Sequence, residues 1–350
     1  MKSINLIINT AVVLPLLCFS SCASGNKALA EKDSIIRPVI VTEPVKYDAD
    51  DPAIWINHAN PANSLVIGTD KDAKGALYVF DLNGKIKQIV DGLQRPNNVD
   101  VAYGLMLNGK PTDYAVTTER YTHKLRFFSL PDMQPIDNGG IPVFEGETEP
   151  QYRDVMGIAV YTSKEGKQYA IVGRKTGPTT GSYIWQYLLE DDGTGKVKAT
   201  LVRKFGKYSG KKEIEAIAVD NEAGYVYYSD EQFGVRKYSA DPEKGNEELA
   251  VFGKTGFSED HEGISIYKGS NIDGYILVSD QGANKFHLFR RTGDHELVKI
   301  VKVAATHSDG SDLVNIPLNE TFKHGLFVVM SDDKTFHYYR WEDIAPTEKK

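Results

Sequence analysis

Cysteine is nearly absent from this chain. Its two copies, Cys18 and Cys22, both stand near the N-terminus. The domain that follows therefore has no disulfide to staple it and no thiol nucleophile. Histidine is sparse, and His58, His123, His261, His287, His295, His307, His324 and His337 show no metal-binding spacing such as His-x3-His. A transition-metal site built on imidazole is thereby disfavoured. Positive charge is in deficit, with a formal net charge of −7, so a nucleic-acid partner is not expected. The chain also lacks a Cys-x5-Arg loop, an Arg-His-Gly-x-Arg motif and a Walker glycine loop, and no serine lies in a nucleophile-elbow context. Beyond the N-terminus no apolar run is long enough to span a bilayer.

The N-terminal stretch "MKSINLIINTAVVLPLLCFSSC" has Lys2, an apolar segment and then small residues before Cys22. That order reads as a signal peptide over residues 1–22. "FSSC" resembles a bacterial lipobox, which implies that Cys22 is lipidated. The chain is then an exported lipoprotein, membrane-anchored in the periplasm or at the cell surface, with the outer membrane as the expected host. A plain secretory signal is the alternative. Residues 23–40 read as a tether, and residues 41–346 as the folded domain.

What is abundant is glycine, aromatics and repetition. One unit consists of a β-rich apolar run, a polar turn and a second run with alternating aromatics. It starts at Leu65 and returns at Tyr114, Tyr169, Tyr225, Tyr275 and Leu326. Short alternating runs precede the copies: "DDPAIWI", "NNVDVAY", "VMGIAVY", "EAIAVD" and "EGISIY", with a weaker sixth inside "SDLVNIPL". A further strand follows most hairpins. Four strands per unit of about 50 residues, six times over, predict an all-β fold: a six-bladed β-propeller with four-stranded antiparallel blades. Trp55, Trp185 and Trp341 fall in strand runs and are expected in the blade core.

Strand direction places the charged residues. The first strand of each blade lines the channel, and neighbouring strands alternate in direction. The start of strand one and the turn between strands two and three therefore share one end of the propeller. Strand starts supply Asp50, Asp51, Asn97, Asn98, Asp154, Glu213, Glu215, Asp260 and Glu262, with Asp309 and Asp312 ahead of the sixth. The turns supply Asp70, Lys71, Glu119, Arg120, Arg174, Lys175, Asp230, Glu231, Asp280, Asp332 and Asp333. The rim is expected to be cationic on one arc and anionic on the other. So many carboxylates at one mouth call for bound cations or raised pKa values. Oxygen donors select Ca²⁺ or Mg²⁺, and a ring assembled from several loops suits the flexible coordination of Ca²⁺.

"DADDPAIW" (48–55) and "NNVDV" (97–101) are similar to the two signature motifs of the β-propeller phytases, calcium-dependent enzymes that hydrolyse myo-inositol hexakisphosphate. "EGISIY", "GLFVV" and "RWEDIA" match in order and context. The resemblance implies direct hydrolysis of a phosphomonoester, phytate or another phosphate ester, by water activated at several calcium ions. It implies Asp50, Asp51, Glu215, Asp260 and Glu262 as catalytic metal-site carboxylates. Asp230, Asp309 and Asp312 are implied as further ligands. Lys71, Arg120 and Lys175 match phosphate-contacting positions, and the Arg120 guanidinium can hold a phosphate bidentately. Met156 departs from the family pattern, which usually has a tyrosine there, and Thr176 replaces an acidic residue. Two other readings use the same residues: a lipid-anchored binding module with a degraded site, or another metal-dependent propeller hydrolase. A monomer is expected.

Overall fold

The structure, a computed structural model, describes residues 34–346. The signal peptide, Cys22 and most of the expected tether lie outside them. The described chain forms six four-stranded sheets, each antiparallel throughout, as the repeat predicts. Blade 1 is Ala49–Trp55, Leu65–Asp70, Gly75–Asp81 and Ile86–Leu93. Blade 2 is Pro96–Leu107, Lys110–Glu119, Lys124–Ser129 and Ile141–Pro142. Blade 3 is Val155–Thr162, Gln168–Arg174, Ile184–Asp191 and Val197–Phe205. Blade 4 is Ile217–Asp220, Tyr225–Asp230, Gly234–Ser239 and Glu248–Phe252. Blade 5 is His261–Lys268, Gly274–Asp280, Lys285–Arg290 and Leu297–Lys302.

Blade 6 closes the ring. Its inner strands are Ser311–Val314, Leu326–Ser331 and Thr335–Arg340, and its outer strand is Ile40–Val41 from the other end of the chain. Ile40 stands opposite Tyr338 and Val41 opposite His337. Just upstream, Ile36 bridges to Val303 beside blade 5. The chain is thus docked on the propeller ahead of the boundary expected at residue 41.

The first strand of every blade faces a central channel. A cavity of about 460 Å³ within it is lined by Ile54, Val101, Val160, Val219, Ile266 and Leu313, one from each blade. The core lies between blades, where faces of alternating apolar residues meet. Aromatic pairs join neighbours: Phe80 with Phe336, Phe205 with Tyr238, Phe252 with Phe289 and Phe286 with Phe327, at centroid separations of 5.8, 5.4, 5.1 and 5.0 Å. Burying each such ring contributes roughly 1.5–3 kcal/mol. Trp55, Trp185 and Trp341 are buried in these interfaces.

Candidate active site

Four inner strands carry the same irregularity at one mouth of the channel. Ala49 pairs with Asp70 and Pro52 with Gly68, so an extra residue bulges out between them. The same step separates Pro96 from Val99, Val155 from Ile158 and His261 from Ile264. A bulge breaks strict strand alternation and re-aims side chains. Its first residue is Asp50, Asn97, Met156 and Glu262 in the four blades, and all four are buried. Glu215 and Asp309 hold the matching places in blades 4 and 6, just ahead of Ala216 and Gly310, whose carbonyls accept from Ser229 N and Met330 N. The second bulge position must often be small. A Cβ on Gly157 would lie 2.0 Å from the Glu215 carbonyl oxygen, and one on Gly310 would lie 2.3 Å from Asp51 Oδ1.

A second ring comes from the residue after each second strand. Lys71, Arg120, Lys175, Glu231, Gln281 and Asp332 donate their backbone N–H groups to the carbonyls of Asp48, Arg95, Asp154, Glu213, Asp260 and Thr306 respectively. One backbone contact, repeated in all blades, thus brings these six residues to the same end. The ring reads cation, cation, cation across blades 1 to 3, then glutamate, glutamine, aspartate across blades 4 to 6.

The residue immediately before each member of this ring does something else. Asp70 accepts from Asp48 N at 2.7 Å, Glu119 from Gln94 N at 2.8 Å and Asp280 from Ser258 N at 3.0 Å. Each ties the loop ahead of its own blade to the second strand. Asp230 accepts from Ser209 N at 2.8 Å and from Ser209 Oγ at 2.6 Å, and pairs with Arg236 Nε at 2.8 Å. Its carboxylate is spent on that clamp, so Asp230 does not join the metal-ligand cluster where the family motif had put it. Its neighbour Glu231 does. Arg174 fills the clamp position of blade 3, donating to the carbonyls of Tyr183, Tyr152 and Ser182. It is buried among aromatic rings and does not line the rim as expected.

Around the mouth the charged groups touch. Lys71 Nζ contacts Asp50 Oδ1 and lies 3.3 Å from Asp309 Oδ2. Asn97 Nδ2 donates to Glu215 Oε1 at 2.6 Å and to Asp50 Oδ2 at 3.3 Å. Glu213, Glu215 and Glu231 each bring one oxygen within 4.8 Å of the others, and Glu231, Asp260 and Glu262 form a second such group. Glu231 belongs to both. Lys175 Nζ pairs with Glu213 Oε2 at 2.7 Å. Lys212, which the sequence reading did not single out, reaches Glu231 Oε2 at 2.9 Å and Asp260 Oδ2 at 2.5 Å. Arg120 has no carboxylate partner among the described residues. Its Nη2 contacts the Met156 sulfur, a weak acceptor, and its Nε makes no hydrogen bond.

Two expected ligands face elsewhere. Asp51 turns along the channel wall, its Oδ2 accepting from Val99 N at 3.0 Å. Asp312 accepts from Ile54 N at 2.8 Å and Leu313 N at 2.7 Å. Both line the channel cavity with Asp100, which accepts from Val160 N at 2.7 Å. These three carboxylates stitch one inner strand to the next. His261, between Asp260 and Glu262, points away: its Nε2 lies 2.6 Å from the Gly253 carbonyl and its ring stacks on Phe257.

The electrostatics follow from burial. Removal from water pushes the Asp50 carboxyl well above its usual range, against the pull of Lys71 and with the help of Glu215 and Asp309. Burial, then the charges of Glu231, Glu215 and Asp309, push Glu262 up likewise. Glu231 is raised by burial and by Glu215. Burial opposes the charge on Lys71, but Asp50, Glu215 and Asp309 outweigh it and hold the ammonium above its ordinary value.

A hard divalent cation fits this mouth. Glu231 Oε1 and Glu262 Oε2 are buried and have no hydrogen-bond partner among the described residues. Such oxygens are costly unless protonated or held by a cation. The donor set is oxygen throughout, which suits that class of ion.

The 3-phytase of Bacillus subtilis (strain 168) is 29% identical to this chain over 368 residues, covering 97% of this chain and 92% of that protein. The family model described as Phytase matches residues 4–339. On fold, site and sequence together, the chain belongs to the phytase family of phosphoric monoester hydrolases.

Proposed function

We propose that this chain is a calcium-dependent phytase, releasing phosphate from myo-inositol hexakisphosphate by direct attack of water. The observation that carries the reading is the pairing, at one channel mouth, of two carboxylate groups sharing Glu231 with an arginine that has no carboxylate partner among the described residues. Glu213, Glu215, Glu231, Asp260 and Glu262 would hold the calcium, with Asp50 and Asp309 beside them. Bound there, calcium would offset the charge of the substrate phosphates and acidify a water molecule.

The chain's own residues do the rest. Arg120 receives a phosphate on a guanidinium with donors to spare, and Lys71 and Lys175 extend the cationic arc for neighbouring phosphates. A substrate with several phosphates suits that arc better than one with a single phosphate. Asn97 holds Glu215 and Asp50 at a fixed separation, so the carboxylates do not rearrange as charge moves. With cysteine confined to the N-terminal segment and the mouth carboxylates assigned to the metal, water is the nucleophile of the proposed reaction.

The test is phosphate release from calcium phytate by residues 27–350 at pH 7–8, with and without chelator. Release that stops in chelator and returns with calcium supports the reading, and none from folded protein in calcium refutes it. We propose further that Cys22 carries lipid and anchors an exported monomer. Incorporation of labelled palmitate, lost in Cys22→Ser, tests the anchor.

A further inference from the structure

The Glu231–Asp260–Glu262 group already has a cation in it, and that cation belongs to the chain. Lys212 Nζ lies 2.9 Å from Glu231 Oε2, 2.5 Å from Asp260 Oδ2 and 4.0 Å from Glu262 Oε1. We propose that Lys212 is a built-in counter-ion that a divalent ion must displace on entering this group, so that Lys212 sets the affinity of the site. The inference rests on the metal reading above and concerns how the metal loads.

Three features point to displacement. First, Lys212 holds oxygens of two of the three carboxylates that a divalent ion would share, Glu231 and Asp260, and two positive charges at ligand distance repel strongly where water is excluded. Second, the ammonium leaves the group incompletely satisfied. Glu231 Oε1 and Glu262 Oε2 remain without hydrogen-bond partners among the described residues, though both side chains are almost wholly buried. A divalent ion shared by the group can engage what a single ammonium does not. Third, the lysine is the part free to move. Its side chain is 37% exposed, whereas those of Glu231 and Glu262 are 0% and 4% exposed. The long flexible stem gives the ammonium a path to solvent, while Glu231, Asp260 and Glu262 are held at or beside the ends of the strands Tyr225–Asp230 and His261–Lys268.

The other carboxylate group differs. Lys175 touches it only through Glu213, at 2.7 Å, and Glu213 lies at its edge, less buried than Glu215 and Glu231. The two groups should therefore load unequally. Lys212 touches the Glu213–Glu215–Glu231 group only through the shared Glu231, so that group loads first, and the Glu231–Asp260–Glu262 group, where Lys212 also holds Asp260, is held in reserve until calcium is plentiful.

The experiment compares wild type with Lys212→Met by calorimetric titration with calcium chloride. The weaker calcium phase is expected to tighten by on the order of tenfold in the variant, as removal of a close competing charge pair implies. A second measurement needs no variant. Acetylation of Lys212 in the wild-type protein, followed by mass spectrometry of its peptide, is expected to be slow in chelator and severalfold faster in saturating calcium. Identical isotherms together with an unchanged labelling rate would overturn the proposal while leaving the metal reading intact. A wild-type protein that binds no calcium would instead remove the metal reading itself.

Discussion

Asn97 donates from Nδ2 to Glu215 Oε1 at 2.6 Å, joining the inner strand of blade 2 to the loop ahead of that of blade 4 across 118 positions of sequence. The same nitrogen lies 3.3 Å from Asp50, so one neutral amide spaces two carboxylates from different blades. Replacing Asn97 with leucine keeps the volume and removes the donor. Activity or calcium affinity is expected to fall about 10–100-fold, as for other groups that orient metal ligands. Steady-state kinetics across a calcium series checks it, and an unchanged calcium dependence would count against the orienting role.

Asp230 and Glu231 are adjacent and should answer to different assays. Asp230→Asn removes the charge that holds Ser209 and Arg236, though Arg236 keeps Glu248 at 2.6 Å, and is expected to cost about 1–3 kcal/mol of stability, seen as a lower denaturation midpoint. Glu231→Gln leaves the clamp whole but removes the carboxylate common to both ligand groups. It is expected to abolish calcium-dependent turnover while the metal-free protein stays folded. The reverse pattern would show that the clamp and the ligand have been exchanged.

Arg120 offers the mouth a buried guanidinium that pairs with no carboxylate among the described residues. Arg120→Ala is expected to lower kcat/KM for phytate by on the order of 100-fold. Arg120→Lys should recover only part, since an ammonium cannot grip a phosphate bidentately. Equal kcat/KM for wild type and the alanine variant would exclude Arg120 from the phosphate site.

The metal-free protein should lose stability as pH rises. Burial lifts the Asp312 carboxyl to about 6 and that of Asp100 to about 7, against about 3.9 in an unfolded chain. The folded state therefore binds more protons than the unfolded state between those values. Their contribution is complete below about pH 4 and lost as pH rises through 6 and 7. Asp50, Glu231 and Glu262 shift in the same direction and extend the loss upward. In chelator, the melting temperature is expected to be higher at pH 5.5 than at pH 8. In calcium the gap should narrow, because the ion is bound by the ionised carboxylates and more tightly at higher pH.

The sixfold period made the blades legible in the sequence, because each blade repeats the same alternation and the same turn. Strand parity also placed Lys71, Arg120 and Lys175 on a common end. What parity could not resolve was which of two adjacent residues, such as Asp230 and Glu231, turns inward at the end of a strand. That depends on the hydrogen bonds of a loop about 20 residues upstream, as the Ser209 contacts to Asp230 show. The bulges were hidden for a similar reason: an extra residue in a strand leaves no mark on composition. Lys212 sits in a loop outside the repeat, and only the folded chain brings it to Glu231. The outer strand of blade 6 was missed because its partner is at the opposite end of the sequence.

That last strand bears on more than architecture. Asp50 and Lys71 come from blade 1 and Asp309 from blade 6, and these blades are neighbours only while the ring is shut. Ile40 and Val41 shut it with a two-residue ladder. If residues 23–33 lead to a lipid, any tension from the membrane meets the bridge from Ile36 to Val303 first and that ladder next. Membrane attachment and calcium occupancy would then be mechanically opposed: pulling on the leader loosens the seam on which Asp50 and Asp309 meet, and an ion held across the seam resists the pull.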